Sequence, residues 1–144
     1  LSQMKNLKFL ISLVSFIMLT SVVYAQNTGI LATNLSRFPS TWSVTECCGW
    51  TGIWQRRPNT NLFDAQWRHT NGTTASDVLE LKSWNNNNEV VFSRQSLNGQ
   101  YKATYNPSNR TLTSGTATWY PAGAGWSAVV PPEDEKGKVI LPHR

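Results

Sequence analysis

Bulky apolar residues recur at every second position through most of this chain. In Thr41 to Glu46, TWSVTE, Trp42 and Val44 alternate with polar neighbours. The stretch Gly49 to Trp67 continues the pattern in two runs: Trp50, Gly52, Trp54 and Arg56 share one face, and Phe63, Ala65 and Trp67 share another. Period-two spacing marks strands with one buried face, and Pro58-Asn59-Thr60-Asn61 supplies a turn between them. Asp77 to Trp84 sets Asp77, Leu79 and Leu81 against Val78, Glu80 and Lys82. Its leucine, glutamate and lysine also favour a helix, but a short segment bounded by turns predicts a strand. Glu89 to Gln95 brings Val90, Phe92 and Arg94 to one face, and Gln100 to Tyr105 does the same with Tyr101, Ala103 and Tyr105. Thr111 to Tyr120 places Ala117 and Trp119 together, and Trp126, Ala128 and Val130 alternate in the last run.

Asn71-Gly72, the run Asn85 to Asn88, Asn98-Gly99 and Asn106-Pro107-Ser108-Asn109 punctuate these segments with turn residues. About eight strands at this spacing predict an all-β fold, an antiparallel up-and-down meander. A small closed or nearly closed barrel hides both sheet edges; a β-sandwich is the alternative. The barrel domain is expected over residues 41–130. A polar lead-in precedes it over 26–40, with Phe38 able to tuck against the barrel, and a charged tail follows over 131–144. Within the tail, Val139-Ile140-Leu141 is expected to stay loose rather than form a last short strand.

Residues 1–25 have a different character. Lys5 and Lys8 precede an apolar run from Phe9 to Val23, and Val23-Tyr24-Ala25 has the small-residue pattern of a cleavage site. The expectation is a secretory signal peptide behind a short upstream stretch, and an exported, periplasmic or extracellular domain with no stable membrane anchor after cleavage. Removing it lowers the formal net charge from +5 to +3. The remaining cations are scattered, without the clustered stripe that nucleic acid demands, so no nucleic-acid partner is expected. The two cysteines, Cys47 and Cys48, are neighbours. A bridge between them would be strained, because ordinary disulfides need Cα atoms roughly 4.4–6.8 Å apart and a trans peptide sets about 3.8 Å. An intermolecular bridge or two free thiols are the alternatives. No cysteine or histidine has metal-ligand spacing, so no metal and no cofactor are expected.

Gly52-Ile53-Trp54 resembles the glycine-x-tryptophan signature of the calycin barrels, the lipocalins and avidins. Gly99-Gln100-Tyr101, Trp119 and Trp126-Ser127-Ala128 are similar to the closing strands of streptavidin-like proteins, whose later tryptophans wall the ligand. The resemblance implies such a role for Trp119 and Trp126. The chain departs from that family after Trp126, where Pro131-Pro132 stand in the region that carries the family's biotin-bonding aspartate. A second resemblance is to small exported bacterial proteins of unassigned activity. It rests on Trp50-Thr51-Gly52-x-Trp54-x-Arg56-Arg57, Phe63-Asp64-Ala65-x-Trp67 and Gly115-Thr116-Ala117-x-Trp119-Tyr120, and implies fold and compartment without chemistry.

The residues favour binding over catalysis. His69 and His143 lack nucleophile or metal partners, and Asp64, Asp77, Glu80 and Glu89 are the carboxylates that a hydrolase would have to pair. Asp64 points away from Phe63, with Arg56 or Arg57 as its expected cross-strand partner. A tryptophan-lined site suits a small molecule or glycan. Its expected residues are Trp54, Arg56, Trp67, Arg94, Tyr101, Trp119 and Trp126. Arg94, if inward, needs a compensating carboxylate or carbonyls. Three further readings remain. In the first, the tryptophans simply fill the interior, as side chains do in small barrels, and the chain is a purely structural or interaction protein. Trp84, beside the asparagine tip, is a candidate exposed platform for sugar rings. The Asn85–Asn88 tip or the Pro121–Gly125 loop is a candidate for insertion into a hydrolase cleft, which would make the partner a protein.

Overall fold

The computed structural model describes residues 35–133 and 138–140. The expected signal peptide and most of the lead-in lie outside the described residues. The chain divides into two compact units, residues 1–37 and 38–144, and the barrel belongs to the second.

Eight strands follow one another as the alternation predicts: β1 (Thr41–Glu46), β2 (Trp50–Arg56), β3 (Leu62–His69), β4 (Thr74–Trp84), β5 (Glu89–Arg94), β6 (Gly99–Asn106), β7 (Thr111–Ala117) and β8 (Trp126–Val129). Each pairs antiparallel with the next, and β8 pairs back to β1, so the sheet closes into a barrel. The fold is therefore an all-β meander and not a sandwich. The leucines of β4 face the core at every second position, which a helix would not allow, and Leu79 and Leu81 are fully buried.

Inward positions carry the large rings. Trp42, Trp54, Phe63, Phe92 and Tyr101 are inaccessible to solvent. Trp54 sits at the centre, its ring 5.0 Å from Tyr101, 5.2 Å from Trp126 and 5.3 Å from Phe92. A ring of this kind buries ~150–250 Å², which at about 25 cal/mol per Å² contributes about 4–6 kcal/mol as an upper bound. The interior is held by packed aromatics, as small barrels are.

Three register shifts interrupt the ladder, between Leu81 and Ser83, Lys102 and Thr104, and Leu112 and Gly115. They come from two inserted residues, one in β4 and one in β7, the latter showing against both β6 and β8. Each reverses the facing of its own strand beyond it, while β6 keeps its alternation. In the tail Val139 bridges Glu133, and the Ile140 N–H donates to the Pro132 carbonyl at 2.8 Å. Among the described residues this is a local bridge and not a ninth barrel strand.

Candidate functional site: the Glu46 end of the barrel

The two ends of the barrel differ in chemistry. At one end Phe38 caps the interior, 1% exposed, its ring within 5.3–6.3 Å of Trp42, Phe63, Trp84, Phe92 and Tyr105. Arg56 lies at this end, where its Nη2 donates to the Phe38 carbonyl at 3.2 Å and its backbone N–H to the Ser40 carbonyl at 2.7 Å. It is at the last position of β2, across from Phe63, so it does not join the other expected site residues. Trp84 is here too, and it is not an exposed platform. The shift after Leu81 returns Trp84 to the inner face opposite Val90, where it packs on Phe38 and Tyr105 and donates its indole N–H to Asn88 Oδ1 at 3.2 Å.

The opposite end is polar. Glu46 continues the inward series Trp42, Val44 and is 9% exposed. Its register partners are Trp50 on β2 and Trp126 on β8. The Tyr101 hydroxyl donates to Glu46, lying 3.0 Å from Oε1 and 3.2 Å from Oε2. The Trp67 indole N–H donates to Oε1, and the Tyr120 hydroxyl donates to Oε2. A carboxylate taken from water is costly unless donors replace the lost hydration, and here three side chains do so. Glycines let two rings lie close to the sheet. A Cβ on Gly52 would stand 2.7 Å from Trp67 Cδ1, and one on Gly115 would stand 2.7 Å from Trp126 Cδ1.

The tyrosines are tuned by this arrangement. Burial pushes the Tyr101 hydroxyl well above its ordinary value, and the charge of Glu46 adds to that. Burial again, then the bond to Glu46 and its charge, raise Tyr120 further. Both therefore remain donors across the ordinary pH range.

A second charged group lies beside the first. Arg94, at the end of β5, donates its Nε–H to Asp77 Oδ2 at 2.8 Å, with side chains 17% and 7% exposed. The guanidinium carbon lies 4.5 Å from the Trp67 ring centre and 5.7 Å from that of Trp119, within cation–π range. Asp77 also accepts from the Ser96 hydroxyl, from the Ser96 N–H at 3.3 Å and from the Val78 N–H at 2.8 Å. Burial alone would push the Asp77 carboxyl up, but these donors outweigh it and hold it below the usual carboxylate range. Among the described residues the Arg94 Nη groups have no hydrogen-bond partner, the guanidinium being held to Asp77 through Nε. Trp67 joins the two charges, its ring under Arg94 and its N–H on Glu46.

The β1–β2 turn, Cys47–Gly49, borders the same end as a single 3-10 turn. Both cysteines are free thiols, Cys47 half-buried and Cys48 exposed. The hydrogen bond to Cys48 and burial push the Cys47 thiol up to about 11. Next to the turn the Trp50 and His69 rings meet edge to face at 4.9 Å.

Of the residues expected in a site, Trp54, Trp67, Arg94, Tyr101, Trp119 and Trp126 come together at or beneath this end, and Arg56 does not. Glu46 and Tyr120 join them without having been expected. Glu46 was legible, because it continues the two-residue period of Trp42 and Val44. Tyr120 was not: β7 ends at Ala117, and a turn delivers Tyr120 to the carboxylate. The four carboxylates that a hydrolase would pair are each engaged separately. Asp64 chelates Arg57 on the outer surface, Asp77 holds Arg94, Glu80 meets Lys82 and Asn61, and Glu89 meets Asn85. Among the described residues no cluster of three metal-ligating side chains occurs, and His143 lies outside them.

A groove of about 250 Å³ runs over the outer surface, lined by Ser83, Asn85, Glu89, Lys102, Thr104 and Ser114 among others. It follows the register shifts and contains no buried charge, so the Glu46 end is the stronger candidate. No family model, curated protein or solved structure matches the chain.

Proposed function

We propose that this chain is a non-catalytic binding domain that takes a small molecule at the Glu46 end of the barrel. The observation that carries this reading is the gathering of Glu46, Asp77 and Arg94 among aromatic rings at one end, while Phe38 caps the other. A barrel needing only a filled interior gains little from buried charges, since apolar side chains of equal volume are as good or better. The unpartnered Nη groups of Arg94 suit a ligand carboxylate, which guanidinium recognises with paired hydrogen bonds. The half-buried Trp119 beside it offers a flat apolar face, so an aromatic carboxylate is the ligand class favoured. The half-buried position of Trp84 weighs against a sugar platform there. The leader pattern at the N-terminus supports action outside the cytoplasm, and the calycin-like glycine-x-tryptophan supports ligand capture at a barrel mouth.

Tryptophan fluorescence, titrated with a panel of aromatic carboxylates, neutral aromatics and sugars, tests the reading. Carboxylates are expected to bind, and Arg94→Gln to weaken them about 10–100-fold, the equivalent of a lost charged hydrogen bond at about 1.5–3 kcal/mol. Binding that favours neutral sugars and is unchanged in Arg94→Gln would contradict it.

A further inference from the structure

The turn between β1 and β2 is built in a way that the ligand reading does not require. Cys48, a residue with a Cβ, holds φ 68° and ψ 22°, in the left-handed region that side chains seldom adopt. Strain of this kind persists only where its surroundings enforce it, and here they do. The Cys47 N–H donates to the Gly125 carbonyl at 2.8 Å, and the Thr70 N–H to the Gly49 carbonyl at 3.0 Å. His69 Nε2 lies 2.7 Å from the Cys48 carbonyl, while its Nδ1 accepts from the Asn71 N–H at 3.1 Å. Those two contacts together assign the proton to Nε2, which therefore donates to Cys48. Gly49 cannot be replaced without meeting Thr70, whose Oγ1 would lie 2.8 Å from an added Cβ. The clamped turn brings both sulfurs to the same side, with the Cys48 thiol donating to Cys47 Sγ at 2.9 Å.

We propose that Cys47 and Cys48 are a redox-active vicinal dithiol, which a low-molecular-weight disulfide oxidises reversibly to an internal Cys47–Cys48 disulfide. The exposed Cys48 attacks first, as its thiolate, on one sulfur of the small disulfide. The S–S bond of that molecule breaks, one small thiolate leaves and takes up a proton, and Cys48 carries a mixed disulfide. The Cys47 thiolate then attacks Cys48 Sγ, forming the internal bond and releasing the second small thiol. The sum is a protein dithiol plus one small disulfide giving a protein disulfide plus two small thiols, so electrons and protons balance. The high value of the Cys47 thiol makes it the second nucleophile rather than the first. A bridge across adjacent residues falls outside ordinary disulfide spacing. Strained, exposed bridges of this kind are the readily reduced ones, which fits a cycling pair rather than a structural staple. The absence of a third metal-ligating side chain among the described residues favours this chemistry over a metal site.

The test uses the folded chain equilibrated with graded mixtures of reduced and oxidised glutathione, acid-quenched, alkylated and read by intact and peptide mass. The expected product is a monomer that has lost two hydrogens, carries no alkyl group on the peptide holding Cys47 and Cys48, and reverts with excess reduced glutathione. Cys47→Ser is expected to stop at the glutathione adduct. A wild-type chain that accumulates a stable glutathione adduct, links into dimers or stays reduced across the series would overturn the proposal. Phenylarsine oxide gives a second readout that needs no oxidant. One equivalent is expected to be captured by wild type with loss of water, and Cys48→Ser to abolish retention. Capture that survives Cys48→Ser would overturn the paired geometry.

Discussion

Glu46 is the residue on which the polar end turns. Its donors are two tyrosines and a tryptophan, and both tyrosines are raised above the ordinary value of 10.0 by burial and by the charge they face. A group whose folded value is raised lends stability that is complete below its unfolded value and is lost as pH climbs towards the folded one. Stability should therefore hold through neutral pH and fall above about pH 10, by about 1.4 kcal/mol per pH unit for each tyrosine that titrates. Tyr105, raised chiefly by burial, acts with the same sign at the capped end. Urea unfolding at stepped alkaline pH measures this, and Tyr120→Phe should give a shallower decline than wild type. A decline of equal slope in that variant would detach Tyr120 from the effect. At this scale the sequence was partly legible. Asp77, Arg94 and Tyr101 each lie in phase with apolar neighbours and could be assigned inward, and Asp64 finds Arg57 as expected, through contacts of 2.7–3.2 Å. Tyr120 could not be placed, since its contact depends on where β7 stops.

The strands themselves were the most legible level, because alternation is a property of neighbouring residues and survives without knowledge of partners. Irregularities were the least legible. A register shift leaves no mark in composition, and the one between Leu81 and Ser83 turns Trp84 inward. Glycine at cross-strand contacts is the more readable device. Gly52 and Trp67 are register partners, and Gly52 leaves the space into which the Trp67 ring leans. Gly52→Ala should displace that ring and loosen its bond to Glu46, destabilising the chain by roughly 1–3 kcal/mol as overpacking does. Near-ultraviolet circular dichroism together with thermal melting checks this. An unchanged aromatic signal would show that the contact is not tight.

Across the whole barrel, one end is capped by rings and the other presents charge, and the proposed ligand site rests on that asymmetry. Phe38 precedes the first strand, so its part in the core is not visible in any periodic pattern, yet it touches five aromatic residues. Phe38→Ala should cost about 3–5 kcal/mol, the usual range for a buried phenylalanine, measured by denaturant unfolding; a loss below about 1 kcal/mol would mean the cap is loose. Ligand entry at the Glu46 end, as proposed, is tested by the ¹H–¹⁵N indole resonances of the seven tryptophans during titration with benzoate and its ring-substituted relatives. Shifts are expected at Trp67 and Trp119 while Trp42 and Trp84 stay in place. Shifts confined to Trp42 and Trp84, or none at any of the seven, would contradict it.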